Sequence, residues 1–382
     1  MNIKQIYDIV NNVAKQSLGS SAINVVDTGS FVSLGDSIIS SSNSTDAFLS
    51  KLMDKVGKTV ISVRKYNENN KNNLVKEPFE YGAILQKIYV DLPESSENDT
   101  WNVGSTSYNP TFAPVIKPNV NQKLFDSIST WETDVTIPDN ILKTAFRNET
   151  EMGAFISGIF TTLENSMSVA LENMTNMCRC NFIARKLNDT TDGVINSVNL
   201  LKLYNDTYGK TLTVENCLLD KDFLAFSSQQ ILLYPKRLSK MSRIFNCEKY
   251  ARHTPKENLC LDVLQNFKSA SDIYLQSNTY HKELLTLPNF SEVPYWQSTG
   301  NTYKDSDKIS VKLDSKKNVE KGGILAVMYD SDAMGTTINN PRTTTERNNH
   351  DEYTNYYYKS NIGYFNDLSE NGIVFYVENV TA

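Results

Sequence analysis

RNETEMGAFISGIFTTLENSMSVALENMTNMCRCNFIARKL, residues Arg147 to Leu187, carries the strongest periodic signal in the chain. Met152, Ile156, Ile159, Leu163, Met167, Ala170, Met174 and Met177 step by fours and threes, which puts them in one stripe of an α-helix. Uninterrupted, such a helix runs about 60 Å at ~1.5 Å per residue, several times the usual three turns. A coiled-coil seam would want paired charges beside the stripe, whereas the flanks here carry Phe155, Phe160, Leu171 and Phe182. The expectation is a spine helix packed on a sheet.

On the N-terminal side, MNIKQIYDIVNNVAKQ is amphipathic, with Ile3, Ile6, Tyr7, Val10 and Val13 on one helical face. It lacks the uniformly apolar centre of a signal peptide, and no run approaches the ~18 apolar residues of a membrane span. The protein is expected in the cytosol or in something assembled there. Ser17 to Asn43, rich in Ser, Gly and Asn, reads as an extended arm. A helix is expected from about Thr45, with Phe48, Leu49, Leu52, Met53 and Val56 at helical spacing and Gly57 as its stop, then a strand at Thr59 to Val63. Tyr81 to Leu92 reads as a strand, and Trp131 to Ile137 alternates with period two. Between them lies a long Pro-, Asn-, Ser- and Thr-rich stretch with Pro93, Pro110, Pro114 and Pro118. Such long loops are uncommon in compact domains unless functional, so the unit reads as a two-stranded projection.

On the C-terminal side the character changes near Asn188 to Gly193. Val194 to Tyr204 and Lys221 to Leu233, a helix around Lys236 to Phe245, a strand at Asn258 to Leu264, a helix around Ser271 to Leu285 and the apolar run Gly323 to Tyr329 make a second α/β module. The chain finishes TNYYYKSNIGYFNDLSENGIVFYVENV, Thr354 to Val380, whose run Ile373 to Val377 suits a strand covered on both faces. That strand is expected to return to the first module, beside the spine helix.

Few chemistries survive inspection. Net charge is −6 at pH 7 and pI about 5.3, so there is no general electrostatic drive toward nucleic acid. Five cysteines, an odd number, fit reduced thiols. Val25-Val26-Asp27-Thr28-Gly29-Ser30 matches the local signature of aspartic proteases, but those need a second carboxylate, and no second Asp-Thr/Ser-Gly is present. Cys247, His253 and Cys260, or Cys178 with Cys180, lack the paired turns of a zinc site. With only His253, His281 and His350, histidine chemistry has little to draw on. Asp330-Ser331-Asp332 reads as a strand end, Gly322-Gly323 precedes a strand rather than opening a helix, and Lys236, Arg237, Lys240 and Arg243 form a modest basic patch on a solvated helix face. No catalytic residue, cofactor or metal is expected.

The order of parts, together with AFLSKLMDKVGKTVI (Ala47 to Ile61), YGAILQKIYVDL (Tyr81 to Leu92), DNILKTAFRNETEMGAFISGIFTTLENSM (Asp139 to Met167), LAVMYDSDAM (Leu325 to Met334) and NYYYKSNIGYFNDLSENGIVFYVE (Asn355 to Glu378), resembles the major capsid proteins of tailed bacteriophages, a fold shared with encapsulins. The likeness is nearest to short-tailed phages of Gram-positive hosts and looser to crAss-like phages. The resemblance implies an α+β fold with an N-terminal arm (1–45), an extended β-hairpin loop (81–137), a peripheral domain carrying the spine helix (46–80, 138–187 and 336–382) and an axial domain (188–335). With its last strand just before Ala382, the sequence is expected to lack the immunoglobulin-like C-terminal appendage that some relatives carry, and with no obvious scaffolding extension at its start a separate scaffolding protein is the expectation.

The implied function is a head shell built from hexamers and pentamers of this chain around double-stranded DNA, bound without sequence specificity. A separate scaffolding protein and a portal at one vertex would be partners, with no membrane, and assembly would occur in the host bacterial cytoplasm. Trp101, Tyr108 and Phe112 of the loop, lying over a neighbouring copy, and the cluster Tyr356, Tyr357 and Tyr358, whose large apolar bodies and polar tips suit a sheet edge, are the subunit-interface candidates. Rival readings are an encapsulin-like compartment, a tail or portal-associated protein, and an aspartic protease through Asp27.

Overall fold

One unbroken helix runs from Glu149 to Asn188 in the computed structural model, which describes residues 3–18, 23–39, 47, 48, 51, 85–90, 92, 120–126, 128–138, 149–275, 289–296, 307–314 and 317–379. The spine helix expected from the apolar stripe is therefore present at its full length. The anticipated helix after Thr45 falls largely outside the described residues, although Ala47, Phe48 and Lys51 are helical and Phe48 is fully buried. The strand at Thr59 to Val63 lies outside them altogether.

Contacts divide the chain into two units, the first made of Met1–Pro78, Ile128–Asn176 and Thr336–Tyr364, the second of Phe79–Ser127, Met177–Gly335 and Phe365–Ala382. In the first unit, helix α1 (Ile3–Leu18) is followed by helix α2 (Thr28–Ile39). Val10, Val13 and Ala14 of α1 and Phe31, Leu34 and Ile38 of α2 are buried, and Asn11 ties the connecting segment by exchanging hydrogen bonds with the Val25 carbonyl (2.9 Å) and N–H (2.7 Å). The extended arm anticipated over Ser17 to Asn43 is thus corrected. Phe31, Leu34 and Ile38 sit at helical spacing, and their burial outweighs the weak propensity of the Ser and Gly around them.

The first unit also holds β3 (Ile128–Pro138), the outer neighbour of β11 (Tyr353–Asn366), which in turn pairs with β10 (Met334–Asn348). β11 and β3 run antiparallel with Tyr356 opposite Val135 and Lys359 opposite Glu132. The period-two pattern of Trp131 to Ile137 is real, but its partner is the tyrosine strand. The second strand of the projection is instead β2 (Val120–Phe125), which pairs antiparallel with β1 (Leu85–Val90).

In the second unit a five-stranded sheet has the order β4-β12-β9-β5-β6, built from β4 (Ser197–Asn199), β5 (Leu259–Leu264), β6 (Asn289–Val293), β9 (Ile324–Asp330) and β12 (Gly372–Tyr376). A small hairpin of β7 (Ile309–Asp314) and β8 (Lys317–Lys321) stands apart from it. β12 lies between β9 and β4, so the terminal strand belongs to this sheet and not to the first unit. Its continuous apolar run fits that place, a strand covered on both faces, as does the buried run of β9.

The long helix, α3 (Glu149–Asn188), ends in this unit almost enclosed. Cys178, Phe182, Ile183, Ala184 and Lys186 are buried, and the Arg179 Nε donates to Asp262 Oδ2 on β5 at 2.6 Å. Met177, placed in the stripe by its spacing, is exposed. Further helices are α4 (Leu200–Tyr208), α5 (Val214–Cys217), α6 (Lys221–Leu238) and α7 (Gln265–Leu275). Tyr204, Phe223, Phe226, Ile231, Tyr234 and Phe267 pack into one core with Leu261, Val263, Met328 and Phe375 of the sheet. Asp220 caps α6 by accepting from Phe223 N–H at 2.8 Å, and Pro235 lies in the last turn, where its carbonyl accepts from Ser239 N–H at 3.1 Å. A separate helix over Lys236 to Phe245 does not form. Its first residues extend α6, after which Ser242 bridges to Arg252.

Candidate assembly surface

The β1–β2 hairpin has two unlike faces. Tyr89 on one face is 5% exposed, and its neighbours Lys87, Asn121, Lys123 and Phe125 are half-buried. On the other, Ile88 (61%), Val90 (63%), Val120 (53%) and Leu124 (58%) are exposed, with Leu92 beyond the strand end. The register sets Val90 opposite Val120, and Gln86 opposite Leu124, so these apolar side chains share one face of the ribbon. An exposed apolar ribbon face of this kind is a candidate interaction surface.

The covered face is fixed by a polar and aromatic root within the second unit. Tyr89 stacks on Tyr250 (centroids 5.5 Å apart, planes 9° off parallel), the Arg252 guanidinium lies 4.3 Å from the Tyr89 ring centre, and the Tyr89 hydroxyl donates to Asp367. Lys87 Nζ pairs with Asp367 Oδ2 (3.1 Å) and Glu370 Oε1 (3.5 Å), and Lys123 Nζ with Asp367 Oδ1 (3.3 Å) and Glu248. Ser369 adds its N–H (3.0 Å) and hydroxyl (2.7 Å) to Asp367 Oδ1. Burial by itself would raise the Asp367 carboxyl, but Lys87, Tyr89, Ser369 and Lys123 outweigh it and hold the group down at about 2. Glu370 goes the other way: burial raises it against the pull of Lys87 and Arg252. Burial, helped by the Asp367 hydrogen bond, also raises the Tyr89 hydroxyl, which keeps it a donor. Sequence reading found none of these residues, because Tyr89 and Asp367 are 278 positions apart. The faint signal was the alternation in VNQKLF (120–125).

Of the sequence-based interface candidates, Trp101, Tyr108 and Phe112 lie outside the described residues. The tyrosine cluster divides by strand parity. Tyr356 (0%) and Tyr358 (7%) are buried on the face of β11 that carries Thr354, so their rings are spent inside the first unit. Tyr357 is on the opposite face, where its hydroxyl donates to Glu346 at 2.8 Å and Lys359, 5.3 Å from its ring centre, pairs with Glu132 at 2.9 Å. Tyr357 is the one half-buried member of the three.

Asp27 is a helix cap. Its Oδ1 accepts from Ser30 N–H (2.8 Å) and Ser30 Oγ (2.7 Å), while its own N–H donates to Ser30 Oγ (3.0 Å), and the hydrogen bonds from Ser30 lower its carboxyl. The thiols are dispersed: Cys178 faces Asn366 Oδ1 (3.2 Å), Cys180 the Trp296 carbonyl, Cys217 the Val214 carbonyl (3.2 Å), and Cys247 Asn196. Asp330 accepts from Thr254 Oγ1 (2.8 Å) and from Asp332 N–H (3.0 Å), closing the turn after β9. Gly323 has φ +73° and its carbonyl accepts from Val377 N–H at 2.8 Å. Lys236, Arg237, Lys240 and Arg243 are exposed. Among the described residues no cluster of three or more His, Cys, Asp or Glu is arranged to hold a metal, and no helix is long and apolar enough to cross a membrane.

The long helix, the two-stranded hairpin and the five-stranded sheet make up a fold with a counterpart among solved phage capsid structures. A chain of the capsid structure of Staphylococcus phage Andhra shares it with a TM-score of 0.52 at 10% identity, over 80% of this chain and 83% of that one. The chain belongs to the Phi29-like phage major capsid protein family, whose family model matches residues 8–376. It is 24% identical to the major capsid protein of Bacillus phage GA-1 over 212 residues, 53% of this chain and 43% of that protein. It is also 24% identical to that of Bacillus phage PZA over 172 residues, 44% and 37% of the two chains. The matched region thus spans less than half the length of these relatives.

Proposed function

We propose that this chain is the repeating tile of a phage head, closing as hexamers and pentamers into an icosahedral shell around double-stranded DNA. The observation that carries the reading is the apolar face of the β1–β2 hairpin, Ile88, Val90, Leu92, Val120 and Leu124, left open to solvent while the opposite face is clamped by Lys87, Tyr89 and Lys123. A clamp on one side and an apolar surface on the other suit a segment that must reach a second copy of the same chain in a fixed direction. Trp101, Tyr108 and Phe112, in the segment joining β1 to β2, would extend that contact, and Tyr357 would be a separate interface residue of the first unit. The family match over residues 8–376 supports a division into an arm, a peripheral domain, an extended loop and an axial domain. Assembly in the host cytoplasm with a scaffolding protein, a portal at one vertex, and non-specific contact with the packaged DNA complete the proposal.

The test is the double variant Ile88→Asp, Leu124→Asp. Both positions are exposed in the single chain, so the variant should keep the parent's circular dichroism and melting. It should sediment as a small species under conditions in which the parent gives closed particles in negative stain. Particles of parental size and yield would remove the hairpin from the assembly mechanism.

A further inference from the structure

β12 is entered through Asn371-Gly372, the one Asn-Gly step in the sequence. Asn-Gly is the dipeptide most prone to cyclise, because a following residue without a side chain lets its backbone nitrogen reach the asparagine carboxamide. Packing dictates both residues. A Cβ at position 372 would come 2.7 Å from Phe182 Cζ and 3.0 Å from its Cε1, so any side chain there would displace a fully buried ring of α3. Asn371, 1% exposed, serves Thr254: its Nδ2 donates to Thr254 Oγ1 at 3.3 Å, and that hydroxyl gives its single proton to Asp330 Oδ2 at 2.8 Å. A hydroxyl that donates to a carboxylate can only accept from its other neighbour, and a carboxamide supplies the hydrogen.

We infer that Asn371 is a self-modifying site held inert by the seating of β12, and that its deamidation is a one-way exit from the folded state. The step needs no co-reactant but water. Gly372 N attacks Asn371 Cγ, the N–Cγ bond forms as Cγ–Nδ2 breaks, and the proton of Gly372 N passes through solvent to the departing nitrogen. Ammonia leaves a cyclic imide. Water then adds to either imide carbonyl and opens the ring, giving aspartate at 371 or the isomer whose main chain runs through the side-chain carboxyl.

The seated strand blocks each requirement. Gly372 N–H donates to the Phe245 carbonyl at 3.0 Å, which holds its proton away from any base, and the Asn371 carbonyl accepts from Asp330 N–H at 3.0 Å. Gly372 lies opposite Tyr329 in the β12–β9 ladder, so the attacking nitrogen is fixed in the sheet while Nδ2 is held by Thr254. In a chain whose β12 has left the sheet none of these restraints holds, and water has access.

The product does not fit the seat. An aspartate at 371 offers Thr254 only acceptors, so two buried carboxylates would compete for the one hydroxyl proton that Asp330 now takes. The surroundings already disfavour further negative charge: burial raises the Glu370 carboxyl, and Asp330 and Asp367 add to the rise against the pull of Lys87 and Arg252. The isomer fits less well still, since its lengthened backbone breaks the bonds that join Asn371 to Asp330 and Gly372 to Phe245. Chains that linger with the terminal strand open are thereby removed from the folded pool, while seated chains keep the amide.

Peptide mapping of the wild-type full chain tests this, after incubation at mildly alkaline pH either folded in buffer or unfolded in urea. The peptide containing Asn371 should gain the mass of an NH2-to-OH exchange in urea and stay intact in the folded sample, with a rate lower by on the order of a hundredfold or more. After dilution from urea, refolded chains should carry the amide, and the aspartate and isoaspartate forms should collect in the unfolded or aggregated fraction. Equal rates in the two samples would overturn the gating, and modified residue in refolded material at its starting proportion would overturn the one-way exit. Asn371→Asp gives an independent reading: its loss of urea midpoint relative to wild type should shrink from about pH 8 to about pH 5, as protonation returns a hydrogen for Thr254. A parental midpoint at about pH 8, or a loss that does not shrink, would overturn the proposal, and the mapping decides it even where that variant does not fold.

Discussion

Asp27 accepts from the N–H and the hydroxyl of Ser30 at the start of α2, and in that position the sequence Asp-Thr-Gly-Ser is a capping arrangement rather than half of a catalytic pair. Asp27→Ala should therefore lower the urea midpoint for unfolding of the N-terminal helices and change nothing in an acid-pH cleavage assay, while Asp27→Ser, which keeps a capping oxygen, should recover most of the loss. Cleavage of a peptide substrate that disappears in Asp27→Ala would sink the capping account. Gly323 makes the opposite kind of point, about space. Its φ is +73°, and a Cβ there would come 2.2 Å from the Val377 carbonyl oxygen. Gly209, with φ +62° at the end of α4, has nothing within 4 Å of such a Cβ. Replacing Gly209 by Ala should cost only the backbone strain of about 1 kcal/mol, whereas Gly323→Ala adds a backbone collision and should cost roughly 3 kcal/mol or more. Chemical denaturation of the two variants side by side measures the difference, and equal losses would mean that β12 is not seated against Gly323.

The hairpin root is an element held by charge, and its response to acid follows from Asp367. That carboxyl is depressed to about 2 from an ordinary 3.8, so its contribution, roughly 2 kcal/mol by linkage, is complete above pH 4 and disappears as pH falls toward 2. Glu370, whose carboxyl is raised, protonates earlier on the way down and so loses its pairing with Lys87 and Arg252 before Asp367 lets go. Amide exchange in residues 85–90 and 120–125 should accelerate between pH 4 and pH 2 relative to β5 and β9, and Asp367→Asn should show the fast rate already at pH 5. A root equally protected in both proteins would place the anchor in the Tyr89–Tyr250 stack instead. Elements governed by local pattern were legible: the stripe from Met152 gave α3, the alternation from Trp131 gave β3, and the apolar run at Ile373 gave β12. What the pattern could not carry was partnership, because β3 and β11 meet across more than two hundred residues and β12 chooses β9 and β4 by long-range burial. α2 carried a usable signal in Phe31, Leu34 and Ile38, masked by the Ser and Gly between them. Lys186 offered none, since a lysine in a last helical turn ordinarily reaches water.

At the scale of the whole molecule, each chain carries a net charge of −6, so identical copies repel through their overall field, while under the proposed function the hairpin faces would attract through apolar burial. The two terms respond oppositely to conditions. Added salt screens the repulsion over a Debye length of about 8 Å at physiological ionic strength and leaves apolar burial intact or strengthened. Cooling weakens the apolar term and barely touches the charges. Light scattering of purified chain should therefore show assembly that quickens from low to moderate sodium chloride and slows on chilling from 25 °C to 4 °C. If the polar face around Lys359–Glu132 and Tyr357 carried the contact instead, salt would slow assembly, and Lys359→Glu would be more damaging than Ile88→Asp. Retarded assembly at moderate salt would therefore move the interface from the hairpin to the tyrosine sheet, and acceleration by salt with loss on cooling keeps it on the ribbon formed by Ile88, Val90, Val120 and Leu124.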